Sequence, residues 1–158
     1  MKRLILIFLL IFFGSFAQTK PTKKYLTKLF KNSIEQEKKN TISTNSNPWV
    51  INNPNGEYYK SDTLKVYSYK SKRTNEFCEY VGWTFYRKDS FILNKCHHCN
   101  EPPTNSVSKN EDWFKIVIVE DKDELIIELY NFGKIISRFK VLTLKESGAE
   151  TELTLKRI

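Results

Sequence analysis

The 158-residue chain has little glycine, five residues in all, and it has only two histidines and three cysteines. No glycine-rich phosphate loop can be drawn from so few glycines, and no nucleophile elbow is present. The two histidines, His97 and His98, are adjacent. They cannot supply the one-face spacing of a metalloprotease helix. No catalytic set is visible, so an enzyme is not expected. A long apolar run is also lacking: the longest, Leu4 to Phe13, is half of the roughly 20 residues needed to span a bilayer. Finally, the basic charge does not belong to the body of the chain. Of the formal +8, Lys2 and Arg3 supply two. Residues 18–40, with seven lysines against Glu35 and Glu37, supply five, which leaves about +1 for residues 41–158. A nucleic-acid-binding domain would carry its basic patch on the folded body, so nucleic acid is not an expected partner.

The short apolar run has a use. Lys2 and Arg3 precede it, and Ser15 and Ala17 follow at the spacing of a cleavage site. That is the pattern of a secretory signal peptide over residues 1–17. Cleavage after Ala17 would leave Gln18 as the first residue. No cysteine follows the run, so lipid attachment is not expected, and the address is secreted or periplasmic. Residues 18–47 read as a basic, polar leader. Within it Tyr25, Leu26, Leu29, Phe30 and Ile34 fall near helical spacing, which predicts a short amphipathic helix over 23–38 with Thr22 as N-cap. Its lysines suit an anionic envelope surface as partner of residues 18–40.

From Trp49 onward the apolar period changes to two. Asn53-Pro54-Asn55-Gly56 predicts a turn between extended segments at Trp49-Val50-Ile51 and Glu57-Tyr58-Tyr59. Further strands are read at Thr63–Tyr69, Cys78–Lys88 and Ser90–Lys95. A Pro- and Ser-containing loop follows at 100–112. The C-terminal third alternates cleanly: Phe114, Ile116 and Ile118, then Leu125, Ile127 and Leu129, then Leu153, Leu155 and Arg157. Turns separate these runs at 121–123, 131–134 and 146–150. Between Ile135 and Lys145 the alternation slips phase after Val141, which predicts a β-bulge. About eight short strands with no long helix between them predict an all-β fold over residues 48–158. The expected form is an antiparallel up-and-down barrel, with a β-sandwich as the alternative. Closure removes the edge strands, and a monomer is the expected state.

Pro48-Trp49, Gly82-Trp83-Thr84-Phe85-Tyr86 and Leu153-Thr154-Leu155-Lys156-Arg157 resemble elements of the small secreted lipocalin-like proteins. Asn47 and Pro48 stand where that family has the glycine before its first Trp. The resemblance covers residues 48–158 and implies a barrel that holds one small apolar or amphiphilic ligand. The ligand-binding candidates are Trp83, Phe85 and Phe114. Bulky inward residues, with Phe91 and Phe139 among them, equally suit a filled core, and the alternative function is a filled envelope-interaction module. Arg157 is expected to stack on one of Trp49, Trp83 and Trp113 and close the barrel end.

Cys96-His97-His98-Cys99 has ligand-type residues, but one tetrad cannot wrap a tetrahedral ion, so no metal is expected. Asn100 occupies the position that haem attachment reserves for His, and no helix starts at the tetrad to activate a redox cysteine. No cofactor is expected. A structural disulfide is the remaining reading. If the hairpin at Lys88-Asp89 places opposite residues so that their numbers sum to 177, Cys78 faces Cys99 and Cys96 is the free thiol. The competing register, summing to 176, matches Trp83 and Phe85 to Leu93 and Phe91 but puts His98 opposite Cys78. The carboxylates of Glu120, Asp121, Asp123 and Glu124 read as a solvated turn.

Overall fold

In the computed structural model the described residues are 21–34, 47–99, 104–105 and 109–158. The expected signal peptide of residues 1–17, the leader residues 18–20 and 35–46, and Pro102-Pro103 of the long loop lie outside them. Thr22 caps the first helix as expected: its hydroxyl oxygen accepts the Tyr25 N–H at 3.2 Å. This helix, α1, spans Lys23–Asn32 and is capped by Ser33, shorter than the spacing suggested. Its apolar face, Leu26 and Phe30, is wholly buried.

Nine strands follow in chain order: β1 (Trp49–Asn52), β2 (Thr63–Tyr67), β3 (Glu79–Arg87), β4 (Ser90–His97), β5 (Thr104–Asn105), β6 (Trp113–Asp121), β7 (Glu124–Asn131), β8 (Lys134–Ser147) and β9 (Glu150–Arg157). Eight of them form a closed antiparallel barrel. The order round it is β3-β1-β2-β9-β8-β7-β6-β4, and pairing of β3 with β4 closes the ring. β5 is a two-residue attachment to β4, within the segment read as a loop. Chain neighbours are barrel neighbours except near the start, where β1 lies between β2 and β3.

Period-two patterning places Val81, Trp83 and Phe85 of β3, Phe91 and Leu93 of β4, Ile127 and Leu129 of β7, and Leu153 and Leu155 of β9 in one core. The predicted bulge lies where the alternation slips. The β8–β9 register shifts between Val141 and Thr143, so that Val141 and Leu144 are both buried and Leu142 between them is 43 % exposed.

Two local readings are corrected. Glu57-Tyr58-Tyr59 is not extended: Glu57–Lys60 forms one helical turn, α2. Asn55 and Gly56, at φ 56° and 76°, reverse the chain there. Asn53 Oδ1 then accepts the Tyr58 N–H at 2.8 Å and starts the turn. The β3–β4 hairpin takes the 176 register, with Tyr80 opposite Cys96 and Trp83 opposite Leu93. Core matching of Trp83 and Phe85 outweighs direct opposition of the cysteines. The bridge still joins Cys78 to Cys99, with Cα atoms 5.0 Å apart, because both lie just beyond the ladder and can meet on the diagonal. The His98 N–H, in the place facing Cys78, donates to the Cys78 carbonyl at 2.7 Å.

Candidate functional site

The barrel interior was the expected site, and its geometry decides what can fit there. Trp83 and Phe85 do point inward. Neither exposes any surface, and Phe91, Phe139, Val66, Val81, Ile127, Leu153 and Leu155 are equally sealed. A void large enough for one water would leave exposed surface on its lining. The rings instead fill one another's contact distance: Trp83 stacks on Phe91 at 5.1 Å, and Phe91 stacks on Phe114 at 5.4 Å. Clefts of between about 130 and about 510 Å³ open on the described surface, and neither Trp83 nor Phe85 lines any of them.

Both barrel ends are shut. At one end α1 inserts Phe30, which stacks on Phe85 at 4.6 Å and meets Trp49 edge-on at 5.2 Å. The helix is tied to the strand turns: the Lys23 N–H donates to Glu120 Oε1 at 3.0 Å, and the Tyr25 hydroxyl donates to the Glu146 carboxylate at 2.8 Å. That carboxylate beside it raises the Tyr25 pKa. At the other end α2 brings Tyr58 over the core. The Trp83 indole N–H donates to the Tyr58 hydroxyl at 3.2 Å. Burial drives the Tyr58 pKa well above its ordinary value. Arg157 crosses this end, donating to the Tyr58 carbonyl at 2.7 Å and to Ser137 Oγ at 3.1 Å. Its guanidinium lies 4.8 Å from the Phe139 ring. The expected closure is present, but Phe139 replaces a tryptophan as the ring, since Arg157 faces Phe139 directly across β8 and β9.

Cys96 is the free, buried thiol. Burial raises its pKa, which its hydrogen bond with Tyr80 only partly offsets, so it stays protonated at neutral pH. His98 Nε2 lies 3.1 Å from the Tyr80 hydroxyl, and His97 is 3.6 Å from Glu79. Among the described residues no group of three metal-binding side chains converges, and no helix is long and apolar enough to cross a membrane.

Two surface features stand out, one sharpening the basic leader of the sequence reading and one that it did not single out. On the exposed side of α1, Lys24, Lys28 and Lys31 fall at i, i+4 and i+7 and form one stripe. No acidic residue lies within the helix. Lys23 and Lys24 sit at its N-terminus, where the macrodipole disfavours positive charge. On the outer barrel wall a cleft of about 510 Å³ is lined by Tyr86, Trp113, Phe114, Lys115, Tyr130 and Phe132. Of the three interior candidates, Phe114 alone lines one of these clefts among the described residues. Tyr86 and Trp113 meet edge-on at 5.1 Å. Phe132 stands 75 % exposed in the β7–β8 turn with φ 47°, a left-handed conformation. A usable signal existed: Tyr86 and Tyr130 lie on strand faces that alternation assigns to solvent, and Phe-Gly occupies a turn that ordinarily takes Asn-Gly. Compared with protein-family models, with curated proteins and with solved structures, the chain matches none.

Proposed function

We propose that this chain is an exported, non-enzymatic interaction module whose filled barrel displays the α1 lysine stripe to an anionic surface of the cell envelope. The observation that supports it best is the seated helix. Leu26 and Phe30 anchor α1 in the core, so Lys24, Lys28 and Lys31 are held in a fixed row rather than on a loose tail. Charges in the first turn work against the helix dipole and do nothing for the barrel. The sealed interior favours this reading over a hollow, ligand-carrying barrel. The lipocalin-like resemblance then concerns architecture and not an internal ligand site. Export accords with the Cys78–Cys99 bridge, since disulfides persist in oxidising compartments.

The test is sedimentation with vesicles containing phosphatidylglycerol and with vesicles of phosphatidylcholine alone. Binding to the anionic vesicles alone is expected, falling steeply as salt shortens the Debye length below about 10 Å. Replacing Lys24, Lys28 and Lys31 together with Gln should abolish it without lowering Tm. Equal binding to both vesicle types, or full binding by the triple variant, would sink the reading.

A further inference from the structure

The outer cleft is a built site that the lysine stripe does not explain. Five rings line it, from Tyr86, Trp113, Phe114, Tyr130 and Phe132. They come from three strands and the β7–β8 turn, and are held in place. Asn131 Nδ2 donates to the Trp113 carbonyl at 2.8 Å and to the Glu111 carbonyl at 3.0 Å, which clamps the β7–β8 turn beside Trp113. The turn has φ of 47° at Phe132 and 75° at Gly133, a pattern that Asn-Gly fills with least strain. Phe at the first position is conformationally unfavourable, and its ring is mostly in water, so it adds little to the fold.

The polar groups narrow the occupant. Lys115 is the one charged residue of the lining, and it has no carboxylate partner among the described residues. Glu128, on the adjoining strand, is already neutralised: Arg138 Nε donates to it at 3.0 Å, and the Tyr130 hydroxyl donates at 2.9 Å. Tyr130 keeps lone pairs free to accept, Tyr86 presents a second hydroxyl, and Ser90, whose own proton goes to Asp89 Oδ1 at 3.2 Å, offers a third acceptor. An open trough of amphipathic rings with hydroxyls at the rim and one cation suits a molecule with apolar faces, many hydroxyls and a carboxylate. An acyl chain would use neither the hydroxyls nor the openness. We infer that this cleft binds an acidic saccharide, with pyranose C–H faces stacked on Trp113 and Phe132 and the carboxylate paired with Lys115.

The site stands apart from α1, so it survives or fails independently of the lysine stripe. The full mature chain is titrated with oligogalacturonate and with neutral cello-oligosaccharide while tryptophan fluorescence is recorded. Trp49 and Trp83 are sealed in the core, so a change reports Trp113. A saturable shift with oligogalacturonate is expected, at least tenfold tighter than with the neutral oligomer. Lys115→Gln should remove that preference. Phe132→Asn should weaken binding several-fold while Tm holds or rises, because Asn suits the turn; a retained fold makes the loss attributable to the ring. Trp113→Phe should bind but give no fluorescence signal, and the triple Gln variant of α1 should bind unchanged. No shift with oligogalacturonate overturns the proposal. So does unchanged affinity in Lys115→Gln combined with Phe132→Asn, or a shift produced by fatty acid or phosphatidylglycerol vesicles in place of sugar.

Discussion

The two ends of the barrel are closed by opposite kinds of chemistry. Where α1 enters, closure is apolar: Phe30 lies against Phe85 and Trp49, and the polar ties to Glu120 and Glu146 sit at the rim. Where α2 lies, closure is polar and directional: Trp83 donates to Tyr58, and Arg157 donates to Tyr58 and Ser137. The first kind tolerates shape change poorly but has no partner to orphan. The second kind loses little volume on mutation but leaves buried polar groups unpaired. A single small fold thus uses both solutions to the same problem, which is keeping water from an aromatic core.

The sharpest way to break the apolar end is Phe30→Ala. It should cost about 4 kcal/mol, as truncation of a wholly buried Phe does, and expose Trp49 to quenchers before the barrel unfolds in urea. Next comes the staple beside the polar end. Removing the bridge as Cys78→Ser with Cys99→Ser should cost about 3 kcal/mol by the loop-entropy model, read as a lower urea midpoint. Arg157→Met keeps the stem on Phe139 but leaves the Tyr58 carbonyl unpaired, and should cost about 2 kcal/mol. The smallest effect sharpens the contrast by pH. The Tyr58 pKa is raised in the folded chain from an ordinary 10.0. The unfolded chain therefore releases this proton first, and stability is lost as pH rises above 10. Tyr58→Phe should reduce that alkaline loss relative to wild type by about 1.4 kcal/mol per pH unit. A matching reduction in Phe30→Ala would show that the two ends do not act separately.

The parts of the fold that could be read from residues are those set by local pattern. Thr22, the spacing of Leu26 and Phe30, the clean alternation of β6, β7 and β9, and the phase slip at Leu142 each encode their own geometry. Competition between distant groups was harder to read. The 176 register won because Trp83 and Phe85 bury more than a strictly opposed cysteine pair requires. Tyr58 became helical because Asn53 captures its N–H, a contact no period-two pattern signals. The position of β1 between β2 and β3 depends on a ring closed by strands far apart in the chain. For the site, Trp83 and Phe85 were placed on the right face, but whether that face encloses space depends on how Phe30 and Arg157 fill the ends. Of the outer rings, Tyr86 was read only within the Gly82–Tyr86 element of the resemblance, and Tyr130 was not singled out.

The seating of α1 has a consequence for the birth of the molecule. The helix precedes every strand that holds it. Tyr25 must wait for Glu146, 121 residues downstream, and Lys23 for Glu120. Trp49 and Phe85 can meet Phe30 early, but the helix lacks Glu120 until β6 has emerged and Glu146 until β8 has. Chain growth thus leaves the nascent protein with an amphipathic segment only half tied down. Full seating of the helix is timed by the late strands rather than by the first.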